Sequence, residues 1–109
     1  MKRGEVWTAA GGAAYAGKPR PVVIVQDDRF DATSSIAICG LTSTELDAPM
    51  ARPRIEPSAA NGLRLASHVM IDKITTMPKH RMDQRLGRLS NDDLVRVNRA
   101  MLVFLGLAG

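Results

Sequence analysis

Apolar positions along this chain fall into short runs cut by turn residues, a rhythm that predicts strands rather than long helices. Glu5-Val6-Trp7-Thr8-Ala9 is the first run, and Pro21-Val22-Val23-Ile24-Val25-Gln26 is the second. The second is β-branched and continuous, so it predicts a strand buried on both faces. Between them, Gly11-Gly12-Ala13-Ala14-Tyr15-Ala16-Gly17 has glycines at both ends and reads as a loop. Ile36 to Leu41 predicts a third strand, ending at Thr42-Ser43-Thr44. Prolines 49, 53 and 57 then confine the middle segment to an edge or a loop. Asn61-Gly62 signals a tight turn, and His68 to Thr75 forms one further β-rich run that Pro78 ends. A short basic stretch leads on to Leu89.

The period changes after Ser90. This serine is a helix cap, and Asp93 three residues later makes a variant capping box with acids in the first turn. Leu94, Val97, Met101, Phe104 and Leu105 share one helical face, predicted to pack on the strands, and Gly106 stands near the helix end. Val95 and Leu102 form a second apolar strip suited to self-association. Many short strands and one terminal helix give a mainly β fold, and 109 residues allow one domain spanning 1–109.

Composition narrows the chemistry. A net charge of +4 suits a polyanionic partner and equally suits a solvated basic surface. Only 4% of residues are aromatic, too few for a base-stacking platform, so any RNA contact must lean on Arg, Lys and backbone groups. One cysteine, Cys39, excludes an internal disulfide and a cysteine-cluster zinc site, and its apolar neighbours predict a buried strand position. No window reaches the ~20 apolar residues of a membrane span, and the charged start has no signal-peptide core. A cytoplasmic protein without membrane attachment is expected.

Familiar catalytic signatures are missing: no phosphate-binding glycine loop, no G-x-S-x-G elbow and no H-E-x-x-H. Neither metal nor other cofactor is called for. His68 and His80 have no spacing that argues for a two-histidine mechanism, and each reads as a surface or strand residue.

A more informative set is spread along the chain. Arg3-Gly4-Glu5-Val6-Trp7 opens it, and Lys18-Pro19-Arg20-Pro21-Val22-Val23-Ile24-Val25 follows the glycine-rich loop. Leu41-Thr42-Ser43 ends a strand, Ser67 to Thr76 carries Asp72, and Leu86-Gly87-Arg88-Leu89-Ser90 precedes the helix. In this order and spacing the chain resembles the MazF/PemK family of RNA interferase toxins, from Arg3 to about Leu105.

The resemblance implies an SH3-like small barrel of the CcdB/PemK type. It also implies a homodimer that cleaves single-stranded RNA (messenger, transfer or ribosomal) without metal, by attack of the ribose 2′-hydroxyl on the adjacent phosphate. Arg20 falls on the family's catalytic arginine, Thr42 on its catalytic threonine, and Asp72 on an acidic position proposed in some members as the general base. Lys18, Tyr15, Ser43, Lys73, Lys79 and Arg81 are the positions expected to hold RNA. A cognate antitoxin with an acidic, disordered tail is the expected protein partner.

The residue types suit that chemistry. A guanidinium stabilises a phosphorane at any working pH, whereas threonine is too weakly acidic to be a base. Two departures stand out. The loop before Arg20 offers Tyr15 and small residues where many members have an acid, and Met70 stands where some members place an arginine. Taken one at a time, Arg20 also fits a structural ion pair, Thr42 an ordinary strand end, and Asp72 a partner of Lys73 or Arg81. Two other functions fit the same architecture: a gyrase-poisoning toxin, or a non-catalytic RNA-binding domain.

Overall fold

A computed structural model describes residues 1–10, 19–45 and 51–108. Seven strands are formed: β1 (Glu5–Ala10), β2 (Pro19–Ile24), β3 (Ser35–Thr42), β4 (Arg54–Ile55), β5 (Ser67–Val69), β6 (Thr75–Pro78) and β7 (Met82–Arg88). A helix, α1, spans Asn91–Phe104. The strands run β4-β5-β3-β2-β1-β7, and β6 adds to β3 beside β5. All pairings are antiparallel. The sheet curls into a half-barrel closed by the terminal helix, the mainly β architecture that the short apolar runs predict.

The strand β3 organises this fold because it is long enough to pair differently along its length. Its first half, Ser35 to Ile38, pairs with β6, and its end, Leu41 and Thr42, pairs with β5. Apolar side chains then divide between the two sheet faces. Val6, Val23, Cys39, Leu41, Ile55 and Val69 pack with Val97 and Ala100 of α1. Ala9, Val22, Ile24, Ile36, Ile38 and Met77 build a second cluster with Met82. Val22 and Val23 are both fully buried, as a continuous β-branched strand requires.

The Arg3-Gly4-Glu5-Val6-Trp7 motif has a structural explanation. Arg3 donates through Nε to the Val25 carbonyl at 3.0 Å and through Nη1 to Asn98 Oδ1 at 2.7 Å, tying the amino terminus to α1. Glu5 accepts from the Trp7 indole at 3.0 Å and from Arg85 Nε at 2.9 Å. Gly4 takes φ +87°, which L side chains rarely adopt.

Three expectations need correction. The run from His68 to Thr75 is not one strand: a 3-10 turn at Ile71–Lys73 splits it into β5 and β6, because each half pairs with a different stretch of β3. The basic stretch before Leu89 is a strand, β7, whose polar residues face solvent while its backbone pairs with β1. In α1 Val97 and Ala100 are buried and Met101 packs against the same cluster, while Phe104 at the helix end is 47% and Leu105 just beyond it 49% exposed. The second run also begins earlier than its apolar content indicates, at Pro19. The Ser90 cap is as expected, its Oγ accepting from the Asp93 N–H at 3.1 Å, while the Asp93 carboxylate accepts from Arg96 Nη1 at 3.2 Å instead of closing a capping box. Gly106 closes the other end at φ +73°.

Candidate active site

Antiparallel registers line up the candidate residues. In β2 and β3, Val22 faces Gly40, Val23 faces Cys39 and Ile24 faces Ile38. Continuing that register two residues sets Arg20 across from Thr42. On its other side Arg20 faces Ala9 of β1, and Ala9 faces Met82 of β7. Thr42 faces His68 of β5, and His68 faces Arg54 of β4. Directly opposed residues point to the same side of a sheet, so Arg20, Thr42, His68 and Arg54 form one row across four strands. Strands lie about 4.8 Å apart, so Arg20 and His68 flank Thr42 with roughly 10 Å between their backbones.

Within the row, Arg20 is exposed and Thr42 half-buried. The Thr42 hydroxyl oxygen accepts from the Thr44 N–H at 3.1 Å. That bond fixes the oxygen and leaves the hydroxyl hydrogen to donate outward. Ser43 is exposed in the turn just beyond. A phosphate set against this row would meet a guanidinium and a hydroxyl donor from adjacent strands.

Asp72 lies in the turn between β5 and β6, where it is clamped by a residue the sequence reading passed over. Arg52 donates through Nε to Asp72 Oδ1 at 3.0 Å and through Nη2 to Oδ2 at 3.1 Å. The Arg52 side chain is only 7% exposed and that of Asp72 31%. The hydrogen bonds from Arg52, aided by its charge and that of Lys73, hold the Asp72 carboxyl below the usual carboxylate range. The ion-pair partner of Asp72 is therefore Arg52, twenty residues upstream, and not Lys73 or Arg81. A Pro-flanked segment gave no local signal for it; the unbalanced charge of Asp72 was the only hint.

The remaining candidates scatter. Lys73 is exposed beside Asp72. Arg81 is exposed in the turn just before Met82, which lies one strand beyond Ala9. Lys79 sits at the far end of β3: its N–H donates to the Ser34 carbonyl, and its ammonium bonds Asp31. The chain does not bring Lys79 to the row. Tyr15 and Lys18 lie outside the described residues. Among the described residues no group of three His, Cys, Asp or Glu side chains is arranged to hold a metal. No helix among them is long and apolar enough to cross a membrane. A cleft lined by Arg3, Asp27, Asn98, Met101, Leu102 and Leu105 lies against α1 and includes no residue of the row.

A small curled sheet with one terminal helix, with an arginine and a threonine at neighbouring ends of its two central strands, is the architecture of a compact β-sheet toxin. Residues 2–105 match the family of PemK-like, MazF-like toxins of type II toxin–antitoxin systems, and the chain belongs to that family. It is 55% identical over all 109 residues to a probable endoribonuclease MazF of Mycolicibacterium smegmatis, covering the whole of both chains. Among solved structures, a mycobacterial endoribonuclease in complex with its cognate antitoxin superposes with a TM-score of 0.83 at 25% identity, over 100% of this chain and 98% of the other. The fold is also that of the Mycobacterium tuberculosis toxin MazF-mt6, with a TM-score of 0.80 at 20% identity, covering 96% and 99% of the two chains.

Proposed function

We propose that this endoribonuclease toxin cuts single-stranded RNA without a metal ion, using the ribose 2′-hydroxyl as nucleophile. One relationship supports the reading: the β2–β3 register, continued two residues beyond the Val22–Gly40 pair, puts Arg20 beside a Thr42 hydroxyl whose oxygen is already occupied and whose hydrogen is free to donate. Arg20 stabilises the doubly charged phosphorane, and Thr42 fixes a non-bridging oxygen. Asp72, kept ionised by Arg52, takes the 2′ proton; the same grip makes it a modest base. The O2′–P bond forms as the P–O5′ bond breaks, and the leaving O5′ takes a proton from water. One fragment then ends in a 2′,3′-cyclic phosphate and the other begins with a 5′-hydroxyl. DNA, lacking the 2′-hydroxyl, is not cut.

RNA is held by Ser43, Lys73 and Arg81 around the row, with Tyr15 and Lys18 in the segment before Arg20; Lys79 contributes only from a second protomer or a long substrate. The toxin acts in the cytoplasm as a homodimer of this one domain. Support for pairing comes from the apolar end of α1, where Val95, Leu102, Val103, Phe104 and Leu105 are between 42% and 49% exposed and Leu107 72%. A cognate antitoxin with an acidic, disordered tail covers the Arg20–Thr42 row.

The test is cleavage of a long single-stranded RNA in excess EDTA by the wild type and by Arg20→Ala. Discrete fragments with cyclic phosphate ends from the wild type alone support the reading. Intact RNA from a folded wild type, or equal cleavage by Arg20→Ala, overturns it.

A further inference from the structure

We propose that His68 is a third substrate-contacting residue of this site, donating a hydrogen bond from Nε2–H to the scissile phosphate beside Thr42. The inference rests on the RNA-cleaving reading above and names a group that neither sequence motif nor charge pattern singles out. His68 is opposite Thr42 in β5 and shares its face of the sheet. It is buried, with 8% of its surface exposed. Its Nδ1 is enclosed and has no hydrogen-bond partner, the only buried side-chain nitrogen or oxygen among the described residues in that condition. No hydrogen bond among the described residues engages Nε2 either.

The enclosed Nδ1 carries a cost, and that cost bears on which tautomer the ring adopts. An enclosed, unpartnered polar atom loses its hydration without compensation, and an apolar side chain of similar size would avoid the loss. Orphaned N–H groups are rarer than orphaned acceptors, so the enclosed Nδ1 favours the tautomer that carries its hydrogen on Nε2. An imidazole that carries its hydrogen on Nε2 is a donor there, a role a positioned histidine can fill at a developing oxyanion. His68 thereby flanks the phosphate on the side away from Arg20, with Thr42 between them. Asp72 remains the proton acceptor, and His68 moves no proton.

The test compares His68→Gln, whose amide NH2 can reach the place of Nε2–H, with His68→Leu, which cannot donate. Both are assayed on a short single-stranded RNA carrying one phosphorothioate at the scissile position, as separated diastereomers, beside wild type and Arg20→Ala. His68→Leu should melt at or above the wild-type temperature and cleave roughly 10²-fold more slowly, the usual effect of deleting one such donor. It should also lose part of the wild type's preference between the diastereomers, and His68→Gln should keep most activity and that preference. Wild-type rates in His68→Leu overturn the proposal, as does a Leu variant that fails to fold, which would make His68 a structural residue. Equal losses in folded Gln and Leu variants overturn it too. These outcomes leave the proposed function standing provided wild type cleaves and Arg20→Ala does not; RNA left intact by wild type removes both.

Discussion

Arg52 grips both carboxylate oxygens of Asp72, at 3.0 and 3.1 Å, from a side chain of which only 7% is exposed. The pair joins the segment before β4 to the β5–β6 turn, next to the Ile71 N–H bonded to the Ala51 carbonyl at 3.0 Å. Removing the acid leaves a buried guanidinium without a counter-charge. Asp72→Asn is therefore expected to destabilise the fold by about 1–3 kcal/mol, the cost of stranding a buried partner. Arg52→Lys should recover little, because an ammonium cannot make the planar two-point contact. Urea denaturation of both variants checks this, and an unchanged midpoint for Asp72→Asn would contradict it.

Acid should weaken the fold through the same kind of group. Burial alone would raise the Glu5 carboxyl, but hydrogen bonds from the Lys2 N–H, the Trp7 indole and Arg85 outweigh it, so Glu5 stays below its ordinary value. Asp72 is lowered as well, by Arg52. A carboxylate depressed in the folded state contributes stability that is present above its unfolded pKa and is lost as pH falls through its folded pKa. The melting temperature should thus hold near neutrality and drop as pH falls below the ordinary carboxylate range of about 4. Glu5→Gln should start lower at pH 7 and show a shallower drop. Parallel curves for the two proteins would place the acid sensitivity elsewhere.

Legibility in the sequence followed the range of the interactions. Ser90 announces α1 because a cap is local, and Val22-Val23-Ile24 announces a strand because β-branching is intrinsic. The strand β7 stayed hidden because its burial does not alternate: β1 shifts register against it between Val6 and Trp7 and again between Trp7 and Ala9. Ala100 was overlooked because an alanine carries little hydrophobic signal, yet it packs where the larger Phe104 does not. In the candidate site, Arg20 and Thr42 are recognisable only through the family's spacing. Arg52 and His68 acquire their places solely from which strand lies next to which, and no local pattern encodes that.

Cys39 offers a clean probe of native packing. Burial in the central strand pushes its thiol up to about 12. Thiolate is the reactive form, so the folded protein should not react with a disulfide reagent at pH 8. One equivalent of thiol should appear on unfolding in denaturant, matching the one cysteine of the chain. Rapid labelling of the native protein would show that β3 is accessible.

The turn at Asn61-Gly62 and the strand β7 approach so closely that two glycines are needed, one on each side. A Cβ added to Gly87 would stand 2.2 Å from the Ala60 carbonyl oxygen, and one added to Gly62 would stand 2.3 Å from that of Leu86. Both obstacles are backbone, and the neighbouring Arg88 N–H already bonds the Ala60 carbonyl at 2.8 Å. Gly62 also has φ +71°, so an alanine there meets the clash and an unfavourable backbone region together. Gly106 provides the control: its φ is +73°, yet nothing lies within 4 Å of its added Cβ. Gly106→Ala should cost about 1–2 kcal/mol, the penalty of left-handed backbone alone. Gly87→Ala should cost at least about 3 kcal/mol, at or beyond the upper end of ordinary overpacking, because no side chain can rotate out of the way. Denaturant midpoints of the two variants, with Gly62→Ala beside them, separate the two causes. If Gly87→Ala were no worse than Gly106→Ala, the turn would not be packed on β7 as closely as these distances state.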